Sequence, residues 1–310
     1  MGIEAGTGNN FLVGTSGQTN SFWLPEVFSK KVQVAFRKSA VAEAICNTDY
    51  MGEISQFGDT VNIIKEPTIT VTDYTRATTT LASTVLTDDE LVLQVDQAKY
   101  FQFKVDDLEK RFSHVNWQTV ASDNAAYQLK DAFDLNVLAA IRNGATADSG
   151  AYGTGAAPID TGFASGEIDP LDVLARLART LDDNNVPEEN RWAVAKPEFY
   201  ELLAKTSSKL MSVDYNQGNG GLRNGLVASG ELRGFKMYKS NNVPTPTGSG
   251  SPTHVVMAGH MSAVSCAQSL STVESIRDNN SFKDIVRGLL VWGRKVLRPE
   301  AIALGTIKID

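Results

Sequence analysis

A chain of 310 residues, 42% of them hydrophobic, is long enough to bury a large core in one large domain or two smaller ones. Its formal net charge of −7 argues against nucleic-acid binding through clustered Lys and Arg side chains. No run approaches the roughly 18 apolar residues of a membrane span, and no secretion signal is recognisable. We therefore expect a soluble protein that stays in the cell that makes it, with Cys46 and Cys266 as free buried thiols.

The N-terminal part of the chain predicts an arm followed by a helix. Residues 1–20 are rich in Gly, Thr, Asn and Ser, and only Phe11, Leu12 and Val13 can pack, so an ordered arm needs a partner surface. Pro25 stands at an early position of the next segment, whose apolar residues predict a helix through about Cys46.

Residues 50–105 change to the period-two pattern of β-strands. The predicted strands are 61–65, 68–74, 91–95 and 100–105. Residues 75–89 are too polar to form a core and too β-prone for an ordinary linker, which predicts a long protruding hairpin. A two-stranded ribbon is marginally stable in water, so we expect a neighbouring subunit to support it.

Residues 117–143 predict one long helix, because strong helix formers continue without Pro or Gly until Gly144. Its apolar residues cover more than half of the circumference, which is typical of a helix covered on several sides. We call this element the spine.

The second half predicts a mixed α/β region. After a loop at 144–166, the Asp169-Pro170 pair caps a helix that ends at 183–185. Further predicted elements are a strand at 192–195, a helix at 197–205, a flexible Gly-rich loop at 215–225, and strands at 235–239, 254–258, 286–297 and 301–309. Gly293 in the penultimate strand is a candidate β-bulge.

The residues that carry catalytic chemistry form no recognisable set. His114, His254 and His260 have no zinc-site spacing, and we interpret them as structural histidines with satisfied hydrogen bonds. The phosphate-binding and serine-hydrolase motifs are absent. Acidic pairs such as Asp106-Asp107 are explained by turns and helix caps. The sequence therefore predicts no enzyme activity, no metal and no cofactor.

Several segments, in this order and spacing, resemble the major capsid proteins of tailed bacteriophages with the HK97 fold. They are 103–109 (FKVDDLE), 125–134 (AAYQLKDAFD), 181–192 (LDDNNVPEENRW), 196–200 (KPEFY), 234–244 (GFKMYKSNNVP) and 293–301 (GRKVLRPEA). The resemblance covers nearly the whole chain from about Trp23.

The resemblance implies an α+β fold with an N-terminal arm, an extended β-hairpin loop, a peripheral domain built on the spine helix, and an axial domain. The implied division is an arm at 1–22, an N-terminal helix at 23–49, the extended loop at 50–99, the peripheral domain at 100–144, the axial domain at 145–265 and a return to the peripheral domain at 266–310.

The function implied by the resemblance is self-assembly into hexamers and pentamers of an icosahedral shell in the virion, built in the bacterial host cytoplasm. The shell would enclose double-stranded DNA without sequence-specific binding. A portal protein is an expected partner, a decoration protein is a possible one, and no membrane is involved. Only about twenty polar residues precede Phe22 and Trp23, so we expect a separate scaffolding protein. No motif matches the covalent cross-linking known in part of the family.

The expected inter-subunit contacts lie in the arm and the extended loop. Arg76 and an acidic tip of Asp88, Asp89 and Glu90 would make loop contacts, and five apolar residues would latch the arm: Phe11, Leu12, Val13, Phe22 and Trp23. Exposed ion pairs contribute about 0–1 kcal/mol each, so many repeated contacts would hold the shell. An encapsulin-like compartment shell and a soluble hydrolase are the alternatives.

Overall fold

The computed structural model describes most of the chain from residue 37 onwards. The described residues are 37–38, 40–50, 60–65, 69, 71, 73, 76, 89–107, 111, 117–145, 153, 157–205, 222–223, 226–227, 231–245, 253–270 and 273–309.

The α-helices within the described ranges are α1 (Ala42–Ile45), α2 (Trp117–Gly144), α3 (Pro170–Asp183) and α4 (Pro197–Ala204). The strands of the first half are β1 (Thr60–Lys65), β2 (Asp89–Gln94), β3 (Gln97–Asp106) and β4 (Ile159–Asp160). Those of the second half are β5 (Arg191–Ala195), β6 (Leu222–Arg223), β7 (Leu226–Val227), β8 (Glu231–Leu232), β9 (Phe235–Lys239), β10 (Thr253–His260), β11 (Val264–Leu270), β12 (Glu274–Arg277), β13 (Lys283–Val296) and β14 (Ile302–Lys308).

One sheet has six strands in the order β4-β14-β10-β5-β9-β8. Strand β10 pairs antiparallel with both β14 and β5, whereas the pairs β14–β4 and β5–β9 are parallel. Helix α3 contacts this sheet, and its buried residues repeat every three or four positions: Val173, Leu174, Leu177 and Leu181. The Asp169 carboxylate accepts a hydrogen bond from the Leu171 N–H, so the helix starts where the sequence predicts.

The second sheet is organised around the 14-residue strand β13. Strand β3 pairs along one edge of β13, and β11 and β12 pair along the other edge. The spine, α2, packs on this sheet. The rings of Phe133 and Trp292 meet edge to face with centroids 6.1 Å apart, and the Trp292 Nε1–H donates to the Asn136 Oδ1. The spine is therefore anchored to the longest of the described strands.

The structure confirms the predicted spine, the helices at 170–183 and 197–204, and the strands at 191–195, 235–239, 253–260, 283–296 and 302–308. It also reveals β11 and β12, which the sequence analysis missed. The predicted loop at 215–225 lies mostly outside the described residues.

Three predictions need correction. Of the predicted helix through Cys46, the described residues are 37–38 and 40–46, and of these only Ala42–Ile45 are helical. In the predicted strand at 68–74, the described residues 69, 71 and 73 lie outside any strand. The bulge at Gly293 is wrong, since its pairing with β11 continues without interruption.

Candidate assembly interface

The base of the predicted hairpin is an antiparallel pair of strands. Strand β1 pairs with β2 from Thr60 opposite Gln94 to Lys65 opposite Asp89, which confirms the hairpin where it is described. Directly opposed residues share a face, so Ile63 and Leu91 lie on one side, and Ile64 and Glu90 lie on the other. Ile64 is 83% exposed. The hairpin therefore has one packed face and one open face, on which Ile64 and Val92 are exposed to solvent.

The packed face of the hairpin lies on the outer side of the long-strand sheet. Leu93 and Val95 are fully buried against Ala267 and Val291, and Tyr50, Val61 and Ile63 pack on this cluster. An added Cβ on Gly293 would stand 2.5 Å from the Gln94 carbonyl oxygen. Because Gly293 has no side chain, the backbone of β2 can approach the backbone of β13 closely at this point. This close approach explains a glycine in a strand that has no bulge.

The acidic residues are placed differently from the expected loop tip. Asp89 and Glu90 belong to strand β2, opposite Lys65 and Ile64, so they lie in the hairpin base; Asp88 is outside the described residues. Glu90 and Arg76 are both exposed, but they form no salt bridge with each other within the described subunit. The arm residues Phe11, Leu12, Val13, Phe22 and Trp23 also lie outside the described residues.

A second apolar surface lies on the outer side of the long-strand sheet. Tyr100, opposite Leu289, is 75% exposed, and Ile276 is also exposed. On the same face, the Arg287 guanidinium donates to the Glu274 carboxylate at 2.7 Å. An exposed apolar patch rimmed by charge is typical of a protein–protein contact.

The far end of this sheet is fixed by ion pairs. Arg277 on β12 forms salt bridges with Asp284 on β13 and with Asp107, which directly follows β3. The Lys104 ammonium lies 3.0 Å from the Asp278 carboxylate. Hydrogen bonds from the Ser281 hydroxyl and then from Lys104 hold the pKa of Asp278 well below its usual range. The turn that follows β12 is thereby ordered, and it presents Phe282, which is 82% exposed.

The structure also reveals a polar cluster that the sequence analysis missed. The carboxylate of Asp134, in the middle of the spine, is fully buried and accepts hydrogen bonds from the Val41 and Ala42 N–H groups. Asn242, from the turn after β9, also donates to it. The one available signal was an acidic residue between the apolar positions 133 and 137 of the helix.

His114 lies outside the described residues, whereas the other two histidines and both cysteines are described. His260 accepts from the Ser262 N–H, whereas the buried Nδ1 of His254 has no hydrogen-bond partner, so that histidine is not satisfied as expected. Cys46 and Cys266 are free and buried, as predicted. A hydrogen bond to Cys266, together with burial, raises the pKa of the Cys46 thiol well above its ordinary value.

The described residues contain no group of His, Cys, Asp and Glu side chains suited to a metal ion. Within the same ranges, no helix is both long and apolar enough to cross a membrane.

Comparison with known proteins places this geometry in one family. The family model described as "Phage capsid protein" matches residues 89–305, which include the six-stranded sheet and the long-strand sheet except for the last three residues of β14. No curated protein matches the chain.

Solved structures agree with the family match. A structure from Mycobacterium phage Che8 is 27% identical, with a TM-score of 0.76 over 91% of this chain and 97% of its own. The capsid of cyanophage P-SCSP1u, 19% identical, has a TM-score of 0.67 over 93% of this chain and 94% of its own. The mature capsid of bacteriophage PhiM1, 18% identical, has a TM-score of 0.64 over 93% and 92%. The last two show a shared fold.

These findings bear on the two alternatives to a capsid protein, an encapsulin-like compartment shell and a soluble hydrolase. The family is one of structural proteins, and none of the matches supports a cellular compartment shell or a hydrolase. The α+β architecture is that of HK97-like capsid structures. The chain therefore belongs to the phage capsid protein family, as a major capsid protein that forms the shell of a virion.

Proposed function

We propose that this chain closes an icosahedral shell of hexamers and pentamers around double-stranded DNA, through contacts of its hairpin loop and N-terminal arm. The observation that carries the proposal is the exposed Ile64 on the hairpin, together with a separate apolar patch at Tyr100 and Leu289. Two different surfaces on one chain suit head-to-tail contacts, which generate rings when the rotation closes.

The contacts are proposed to be many and individually weak. Arg76 and Glu90 are exposed and available for pairing with a neighbouring copy, and Asp88 and Asp89 adjoin Glu90 in the sequence. Each exposed ion pair would contribute about 0–1 kcal/mol. The apolar arm residues supply the remaining contacts in this proposal: Phe11, Leu12, Val13, Phe22 and Trp23.

The proposed domain division follows the two sheets. The long-strand sheet with the spine would form the peripheral domain, and the six-stranded sheet with α3 and α4 would form the axial domain. Strand β14 pairs with β10 in the six-stranded sheet, so we assign 302–308 to the axial side instead of the return segment.

The wider assembly is proposed from the family resemblance. It includes a portal protein, a separate scaffolding protein, a possible decoration protein and assembly in the host cytoplasm. The net charge of −7 supports a DNA container without sequence-specific binding, because a lumen without strong basic patches would not hold DNA in one arrangement.

The proposal is tested by negative-stain microscopy and sedimentation of the purified chain, expressed alone and with the scaffolding protein of the same phage. Closed shells or rings are expected in at least one condition. A persistent monomer in both conditions would overturn the proposal.

The arm is tested separately. Deletion of residues 1–20, or replacement of Phe11, Leu12 and Val13 by Ser, should leave folded subunits that fail to complete stable shells. The matched control replaces Ser16, Gln18 and Thr19 by Ala, which keeps the apolar residues. Normal, equally stable particles from the deletion variant would refute the latch.

A further inference from the structure

The N-terminal segment is attached to one side of the spine by polar contacts. We call residues 37–38 and 40–47 the strap. The Arg37 guanidinium lies over the Tyr127 ring at 5.3 Å, and the Lys38 N–H donates to the Tyr127 hydroxyl at 2.9 Å. The Lys38 ammonium lies 3.5 Å from the Asp131 carboxylate. Residues 127, 131 and 134 are four and three positions apart, so they share one helix face.

Asp134 is the buried member of that face. Its Oδ1 accepts from the Val41 N–H at 2.7 Å and from the Ala42 N–H at 2.8 Å. These groups begin helix α1, whose N-cap residue Val41 supplies no capping side chain. The spine carboxylate therefore satisfies amide groups that a helix start would otherwise leave unpaired.

The other oxygen of Asp134 faces the turn after β9. Its Oδ2 accepts from the Asn242 side-chain amide at 2.9 Å and lies 3.5 Å from the Ser240 hydroxyl. The same amide group donates to Asp131 at 2.7 Å, and the Asn242 carbonyl oxygen accepts from Lys38 at 3.2 Å. One carboxylate thus joins the strap to the turn at 240–242.

The arrangement makes strap docking cooperative. Among the described residues, no cation forms a salt bridge with Asp134, so neutral donors alone stabilise this buried carboxylate. Release of the strap would remove two of those donors and leave a buried acceptor poorly satisfied. Release of the strap is therefore unfavourable, because both amide groups and Asp134 lose their partners together.

We propose that Asp134 is a positioning residue for shell assembly. It fixes the position of the strap on the spine, and the apolar residues of the proposed latch precede the strap in the sequence. The inference rests on the proposed function, since it gives the N-terminal arm its starting position. Asp134 acts through the strap and contacts no neighbour itself in this proposal.

The test compares Asp134→Ala and Asp134→Asn with Leu177→Ala. Leu177 is buried in α3 against the six-stranded sheet, far along the chain from the strap, so its truncation serves as a control that destabilises the subunit at another place. Amide hydrogen exchange at Val41 and Ala42 is measured in isolated subunits. The free energy of unfolding of each variant subunit is first measured with denaturant. Shell yields are then compared between variants under conditions in which their subunits are equally stable.

We expect Asp134→Ala to accelerate exchange at Val41 and Ala42 by about tenfold or more, because both N–H groups lose their acceptor. It should also give several-fold fewer complete shells than Leu177→Ala. Asp134→Asn keeps an acceptor oxygen of the same shape and should recover part of both effects, and it serves as the folded variant if the alanine variant is unstable.

Unchanged exchange, or equal shell yields from Asp134→Ala and Leu177→Ala, would overturn the inference. Failure of the proposed function gives a different result. In that case the wild-type chain forms no shells with its scaffolding protein, while the exchange measurement still decides whether Asp134 holds the strap.

Discussion

Gly293 lies against the backbone of Gln94, so closely that an added Cβ would stand 2.5 Å from its carbonyl oxygen and 3.1 Å from the Val95 Cα. Neither neighbour is the flexible end of a side chain. The hairpin base therefore rests directly on the main chain of the longest strand, and the identity of one residue sets that distance.

Gly293→Ala is expected to lower the free energy of unfolding by about 1–3 kcal/mol, because the backbone must shift to relieve the overlap. Denaturant unfolding of isolated subunits measures the loss. Gly305→Ala is the matched control in another strand, since its added Cβ would meet Val173 and Leu177 side chains at an ordinary 3.6–3.8 Å. Equal stability losses in both variants would contradict the close-approach explanation.

Phe133→Ala is expected to destabilise the subunit by about 3–5 kcal/mol, because it removes a buried ring and its edge-to-face contact with Trp292. Leu135→Ala on the same helix is the control. Leu135 is exposed, so its truncation should change stability by less than about 0.5 kcal/mol. A small effect of Phe133→Ala in thermal or denaturant unfolding would show that the spine is not anchored there.

Ile64→Asp is expected to leave subunit stability within about 0.5 kcal/mol and to reduce shell yield strongly, because the side chain faces solvent in the subunit. Asn62→Asp adds the same charge on the same hairpin face without removing apolar area, so its effect on yield should be smaller. Sedimentation and electron microscopy measure yield. Normal assembly of Ile64→Asp would remove this residue from the interface.

The subunit is expected to lose stability in mildly acidic solution through His254. Burial, assisted by the nearby Lys196 and opposed by Glu198, lowers the pKa of His254 below its ordinary value. An unfolded histidine binds a proton with a pKa of about 6.5. Below that pH, and down to the folded pKa, the unfolded state binds more protons, so stability falls as pH falls.

His254→Gln removes this contribution and leaves that of His260, whose pKa burial also lowers. Denaturant unfolding at pH 7.5, 6.5 and 5.5 should show the wild-type chain losing stability relative to His254→Gln as the pH decreases. Parallel curves for the two proteins would show that His254 has no role in the pH dependence.

The sequence predicted those helices and strands that are determined by the residues within them. The spine follows from an uninterrupted run of helix formers, and α3 follows from Asp169, Pro170 and the spacing of its leucines. Strand β12 could not be found in this way, because all four of its residues are exposed and show no alternation. Its structure depends on pairing with β13, which is a tertiary contact.

The candidate assembly surfaces were predicted only as segments. The hairpin follows from alternation and polarity, but the outward position of Ile64 depends on the register with β2. The Asp134 cluster was beyond sequence reasoning, because its donors come from residues 92 and 93 positions earlier and from residue 242. Neither the surroundings of Ile64 nor those of Asp134 produce a pattern in the adjacent sequence.

The strand order carries a consequence for how the subunit is made. Strand β14 lies between β4 and β10, although it is translated after every other strand, and β13 joins β3 to β11 in the same late part of the chain. In a nascent chain on the ribosome, the long-strand sheet therefore has unpaired edges until β13 is made, and the six-stranded sheet has them until residues 302–308 are made. At about 5–20 residues per second, synthesis from β3 to β14 takes on the order of 10–40 s. Chaperones that cover unpaired strand edges would act in this interval, before any capsid contact forms.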